Sequence, residues 1–268
     1  MKTDNLKRRL TAVEKAHLDA FVDAYIEDAE TAYSQLEDQI VELAEDTGFR
    51  KMAKALTQIP GHEILPDDVN VLDDFVVFTA DMRHSTKHLM VAESRLKPGV
   101  TPLKRVFIET SVLLPTLAEI VSLGNGKVTE YLGDGVLAFY RVPDGQDSKV
   151  IGEAHRSAEK CLECVVDIVN PKLEALYGIP PMEIGIGLAR SQAIIRLIGL
   201  KSHRVPRVFG KAVFYASKLS CGINEIYLDD NAHAMWPKVK DGEKPVVRFS
   251  KKRVRDHDGH KLDYLQSA

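Results

Sequence analysis

The sequence predicts an α+β fold in which an antiparallel sheet is covered by helices on one face and preceded by an N-terminal helical segment. Three observations carry this. Apolar residues recur at helical spacing through the first sixty residues, short strand-like runs alternate with helical stretches from about residue 68, and Gly- and Pro-containing breaks separate those runs.

In the N-terminal segment, residues 1–67, Thr11 and Glu14 have capping-box spacing. Leu18, Phe21 and Tyr25, then Tyr33, Leu36, Ile40 and Leu43, repeat every three or four residues, as one buried helical face does. That face is expected to add contacts between two copies of the chain. Gly48 is placed to end the helix, a shorter helix is predicted over 49–58, and residues 62–70 read as a linker.

The second region, residues 68–268, opens with an apolar strand at 75–78 that ends at Thr79-Ala80-Asp81. The polar turn Arg83-His84-Ser85-Thr86 then opens a helix, and residues 102–123 form another. After the break Gly124-Asn125-Gly126, strands at 127–132 and 136–141 are joined by the tight turn Gly133-Asp134-Gly135. A long helix over 148–177 follows, and 182–188 and 193–199 read as paired strands. The order strand, helix, strand, strand, helix, strand is the ferredoxin-like βαββαβ plan, here extended by strands near 225–228, 246–249 and 262–265.

Composition narrows the partners. A formal net charge of −3 gives no general attraction for nucleic acid or anionic lipid, so a phosphate site has to be built locally. No stretch approaches the roughly 20 apolar residues of a membrane span, and no secretory hydrophobic core opens the chain, so a cytoplasmic protein is expected. Of the 3 cysteines, Cys161 and Cys164 form a lone CxxC within a helix, which suits packing better than a zinc or redox site.

The chemistry points to two aspartates. Asp81 at the end of the first core strand and Asp134 at the hairpin tip would meet on neighbouring strands, and with the Met82 carbonyl they suit a pair of Mg²⁺ or Mn²⁺ ions. Each Asp taken singly also has a local explanation, since Asp is favoured in turns. Three ordered stretches bear on the choice: Phe-Thr-Ala-Asp-Met-Arg-His-Ser-Thr at 78–86, Tyr-Leu-Gly-Asp-Gly-Val-Leu-Ala-Phe at 131–139, and Val-Phe-Gly-Lys-Ala-Val-Phe-Tyr-Ala-Ser-Lys-Leu at 208–219. Together they resemble the catalytic domain of class III adenylate and guanylate cyclases over residues 71–265.

The resemblance implies a nucleoside triphosphate substrate, two divalent metal ions held by Asp81, Met82 and Asp134, and a homodimer whose subunits complete each other's sites. It also implies that the turn carrying His84, Ser85 and Thr86 offers N–H groups to the triphosphate. Cationic help in the transition state would come from Lys218 and from Lys251 or Lys252, although the basic tail also reads as a solvated charge run. Two family positions differ. Phe214 and Lys218 stand where the family carries Asn and, four residues on, Arg, so the bidentate contact of arginine is absent.

The base-selecting positions differ as well. Glu130 and Arg207 form neither the usual adenine nor the usual guanine set; together they match an N–H flanked by a carbonyl, an edge that uracil and guanine share. Phe214, Tyr215 and Arg207 are larger than the family's residues, which favours a single-ring base and therefore UTP, with CTP or GTP as alternatives. In this combination the chain resembles the pyrimidine cyclases of bacterial Pycsar anti-phage systems, whose cyclic UMP or cyclic CMP activates a separate effector. A catalytically inactive cyclase-like module is the rival reading. An RNA-binding domain of the same strand order is disfavoured, because no aromatic RNA-stacking motif is present.

Overall fold

The computed structural model describes residues 10–39, 57–65, 70–85, 96–200, 203–237, 248–254 and 257–263. The predicted helix over 49–58 up to residue 56, the helix expected beyond Ser85, Thr86, and the predicted positions Ile40, Leu43 and Gly48 lie outside these residues.

Helix α1 (Ala12–Gln39) starts at the capping box read from the sequence. The Thr11 N–H donates to Glu14 Oε2 at 3.0 Å, and the Glu14 N–H donates to Thr11 Oγ1 at 3.2 Å. Its buried face is Leu18, Val22, Ile26, Ala29 and Tyr33. Phe21 and Tyr25 sit half-buried beside it, with rings 4.6 Å apart. As far as it is described, the face packs against the chain's own core rather than waiting for a second copy, which corrects the expected dimer role for residues 18–33.

Strand β1 (Val71–Met82) is three times the length of the apolar run that announced it. Helix α2 (Pro102–Leu123) is capped by Thr101, whose Oγ1 accepts the Lys104 N–H at 3.1 Å. It is long and apolar enough to cross a membrane, contrary to the expectation from sequence. Here it packs against α1 and the sheet, with the Arg105–Glu109 ion pair, 2.8 Å, held in its buried face. Strands β2 (Lys127–Tyr131) and β3 (Gly135–Arg141) form the predicted hairpin.

The predicted long helix is observed as α3 (Asp147–Cys164), a π-helical turn (Val165–Val169) and α4 (Asn170–Tyr177). The Asn170 N–H donates back to the Val165 carbonyl, and Pro171, with no N–H, follows at once. Cys161 and Cys164 are free, buried thiols. Burial pushes Cys161 well up and Cys164 to about 12, so neither is a poised nucleophile.

Residues 182–199 do not fold as two paired strands. They form most of one strand, β4 (Ile184–Leu200), because β1 pairs with it without interruption from Met82↔Ile184 to Val71↔Ile195. Its hairpin partner is β5 (His203–Phe209), followed by α5 (Lys211–Leu219), β6 (Glu225–Leu228), α6 (Asp230–Ala234), β7 (Arg248–Val254) and β8 (His257–Asp263).

The sheet order is β2-β3-β1-β4-β6-β8-β7, with β5 paired to β4 off this path; its first four strands are antiparallel and have the ferredoxin-like arrangement. Only β4 and β6 pair in parallel among the described strands. Alternation along β1 divides the interior. Val76, Phe78, Ala80 and Met82 join the helix layer of α1–α4. Phe75 and Val77 face the other way, against Ile59 and the Ala212 and Ala216 side of α5.

Candidate functional site

Asp81 lies on the α5 side of β1 by the same alternation and stands opposite Gly135 in the β1–β3 ladder. Asp134 is therefore the next residue along the hairpin turn, and its carbonyl accepts the Met82 N–H at 3.2 Å. Gly133 has a φ of +65°, which the turn needs and which L side chains adopt rarely. Gly135 is required for a second reason: a Cβ there would fall 2.4 Å from the Ala80 carbonyl oxygen. The Gly-Asp-Gly sequence thus brings Asp134 against the end of β1.

Arg83, to which the sequence reading assigned no separate role, reaches back to this site. Its Nη1 donates to Asp81 Oδ2 at 3.1 Å and to the Ser220 carbonyl at 3.4 Å, so it joins the metal-site candidate to the C-terminal end of α5. Strand alternation did not announce this contact, because β1 ends at Met82 and Arg83 already belongs to the turn. Met82 has a buried side chain, so any ligand role belongs to its carbonyl. His84 is exposed with a φ of +57°, and Ser85 follows it into helical geometry. Thr86 lies outside the described residues.

Lys218 sits on α5 with its Nζ 5.3 Å from the centre of the Phe214 ring. The Asn and Arg positions of the resemblance are thus occupied by a cation–π pair. Lys251 and Lys252 lie on β7, four strands from β1, about 19 Å away at ordinary strand spacing. One chain does not bring them to Asp81.

The base-selecting candidates do meet. Arg207 Nη1 is 3.4 Å from Glu130 Oε1. Glu130 is aimed by a bulge, since the β2–β3 register slips between Val128 and Glu130. Arg207 arrives from β5, which among the described strands pairs only with β4, so that hairpin folds across towards β2. The two line a cleft of about 210 Å³ with Thr57, Gln58, Ile59, Thr129, Val205, Pro206 and Val208. Phe214 and Tyr215 are not among its lining residues; their rings pack 5.9 Å apart on α5.

A carboxylate at the end of β1 and another on the adjoining hairpin turn are the hard oxygen donors that divalent cations take. Among the described residues no group of three or more His, Cys, Asp or Glu side chains forms a metal cluster, so further ligands would be carbonyls, substrate oxygens or water.

The fold is an α+β arrangement shared with solved nucleotidyl cyclase domains. In particular, the chain is similar to the guanylyl cyclase Cya2, at 17% identity and TM-score 0.57, over 74% of this chain and 95% of that one. It is similar to the adenylyl cyclase CyaB from P. aeruginosa, also at 17% identity and TM-score 0.57, over 75% and 97%. A third relative is the catalytic core of a rhodopsin-guanylyl cyclase with converted specificity, solved with ATPαS, at 15% identity and TM-score 0.54, over 74% and 100%. At these identities the likeness is one of fold. No protein-family model and no curated protein matches the chain.

Proposed function

We propose that the chain is a nucleotidyl cyclase that prefers pyrimidine triphosphates, UTP first, and forms the 3′,5′-cyclic monophosphate and pyrophosphate at a site shared by two copies. The observation that carries this is the ladder position of Asp81 opposite Gly135, which joins Asp81 and Asp134 in a fold shared with cyclase domains. In the reaction the ribose 3′-oxygen bonds to the α-phosphorus, its proton passes to solvent, and the α–β phosphorus–oxygen bond breaks.

Asp81, Asp134 and the Met82 carbonyl would hold Mg²⁺ or Mn²⁺. Bound there, the cations supply Lewis acidity at the attacking oxygen and charge neutralisation at the leaving group. The chain's own part is positioning and charge. Arg83 orients the Asp81 carboxylate, and the turn at His84 and Ser85 would offer backbone N–H groups to the phosphates. Lys218 supplies a point charge. Lys251 and Lys252 would serve the partner's site, since β7 stands four strands from β1 of their own chain.

Glu130 and Arg207 read the base, and the small volume of their cleft, rather than Phe214 or Tyr215, supports a single ring. An apolar groove of about 590 Å³ formed by Val71, Leu72, Ile194, Ile198 and Phe209 supports pairing of two copies through the β4–β5 hairpin. The cyclic product would serve as a messenger to a separate effector, as in the anti-phage cyclases the sequence resembles. The cation–π pair of Lys218 with Phe214 favours a second reading, a nucleotide-binding module without turnover.

Incubation of the purified chain with ATP, GTP, CTP and UTP in Mn²⁺, with products identified by mass spectrometry, tests the proposal. Cyclic UMP is the expected main product. Cyclic CMP or cyclic GMP would keep the reaction and replace the substrate, while no cyclic product from any of the four would favour the inactive module.

A further inference from the structure

The cleft that holds Glu130 and Arg207 has a wall that no strand of the sheet supplies. Thr57, Gln58 and Ile59 form it, in the short segment 57–65 ahead of β1. That segment is fastened at several points. Ile59 is buried among Phe75, Val77, Leu137 and Phe139. His62 Nε2 is 2.7 Å from Asp73 Oδ2, and the same oxygen accepts from Arg141 Nε at 2.6 Å. Lys127 Nζ donates to Glu63 Oε1 at 3.0 Å, which ties the segment to the first residue of β2.

The segment also holds its own shape. The Thr57 N–H donates to the Glu63 carbonyl at 3.1 Å, and the His62 N–H donates to the Ile59 carbonyl at 3.0 Å. Thr57 Oγ1 accepts the Ile59 N–H at 2.9 Å. Gly61 turns the chain at a φ of +79°, and a Cβ there would fall 2.7 Å from Arg141 Cδ. Between the buried Thr57 and the buried Ile59, Gln58 is the exposed side chain left at the mouth of the cleft.

Of the polar side chains lining the cleft, the Thr57 and Thr129 hydroxyls already bond to backbone groups, and Gln58, Glu130 and Arg207 divide the rest unequally. Glu130 only accepts hydrogen bonds and Arg207 only donates, and at 3.4 Å each already faces the other. Gln58 carries an acceptor and a donor side by side on one amide, the pattern that pairs with the adjacent N–H and C=O of uracil or, turned over, with the amine and ring nitrogen of cytosine. We infer that Gln58 is a specificity-determining residue: its amide binds the Watson–Crick edge of a pyrimidine, and the clamped segment around it closes the cleft to a second ring. This rests on the reading of the Glu130–Arg207 cleft as the base site.

Two substitutions separate the amide from the wall. Gln58→Leu keeps the bulk and removes the hydrogen bonds; Gln58→Gly removes both. Binding of the α,β-methylene analogues of the four nucleoside triphosphates, which cannot release pyrophosphate, is measured by calorimetry in Mn²⁺ on the full chain, with cyclisation of the natural nucleotides assayed in parallel. Gln58→Leu is expected to weaken the pyrimidine analogues about tenfold, about 1.4 kcal/mol for the two lost hydrogen bonds together, while purine analogues stay excluded. Gln58→Gly is expected to admit purines as well. Unchanged dissociation constants for all four analogues in both variants would overturn the inference, and so would purine analogues binding the wild-type chain as tightly as pyrimidines. Selective pyrimidine binding without cyclic product, lost in Gln58→Leu, would support Gln58 and overturn the cyclase reading alone.

Discussion

Asp81 and Asp134 owe their meeting to single atoms that are missing from their neighbours. A methyl group at Gly135 would press to 2.4 Å from the Ala80 carbonyl, so Gly135→Ala should cost about 1–3 kcal/mol and open the strand pair at the acids. Thermal melting and cyclase rate should fall together. By contrast, Asp81→Asn and Asp134→Asn keep shape and remove charge, and each should lower turnover by at least about a thousandfold, equivalent to about 4 kcal/mol of transition-state stabilisation, with the melting temperature little changed. Retained activity in either, in Mn²⁺, would remove the two-carboxylate site. Arg207→Ala should alter preference among the triphosphates more than maximal rate, which competition assays with paired substrates will show.

Between β4 and α5 the packing depends on glycine in the same way, over a larger span. A Cβ on Gly187 would stand 2.0 Å from the Ala216 carbonyl, and one on Gly185 would stand 2.1 Å from the Ser220 carbonyl. The helix that carries Lys218 and Phe214 therefore lies directly on the strand. The link between β6 and α6 holds a titratable element. Asp229 caps α6 by accepting the Ala232 N–H at 2.7 Å, and it also accepts the Arg190 N–H at 3.2 Å. Burial, helped by neighbouring Asp230, outweighs these bonds and pushes its pKa up from 3.8 to about 6.

The folded state thus binds that proton more tightly than the unfolded chain does. The contribution to stability is present in full below about pH 4 and is lost as pH rises through about 6. Asp229→Asn keeps a capping oxygen and removes the buried charge. It should stabilise the protein by up to about 3 kcal/mol at pH 8 and by almost nothing at pH 4, as melting curves across that range will show.

For the whole molecule, the question is how two chains would make one site. The groove lined by Leu72, Ile194, Ile198 and Phe209 exposes apolar surface along the β4–β5 hairpin, next to a cleft that opens on Glu130 and Arg207. Ile194→Asp should shift the species seen by light scattering from dimer to monomer, and activity should fall in step with it. If sites are shared, Asp81→Ala and Lys218→Ala chains should complement each other in verified mixed dimers, where neither is active alone. The α1 helix belongs to a different scale of effect. Its face of Leu18, Val22 and Ile26 shares a core with α2, so removing residues 1–56 should lower the stability of the chain before it affects association.

What the residues determined by themselves is local and periodic. The capping box at Thr11, the β2–β3 hairpin around Gly133-Asp134-Gly135, the 22-residue helix α2 and the order of the ferredoxin-like core all follow from short-range rules of spacing and turn chemistry. The meeting of the end of β1 with the Gly133-Asp134-Gly135 turn was legible because ladder pairing needs only that order. Tertiary structure decided the rest. The α1 face slipped by one position to meet α2, and β4 ran through residues 189–192 because β1 offered a partner along its whole length. The bulge at Thr129 and the folded-over β4–β5 hairpin brought Glu130 to Arg207, and the segment 57–65, read as the end of a helix and a linker, became a wall of their cleft. Each of these depends on contacts between residues far apart in the chain, and such contacts leave no period in the sequence to be read.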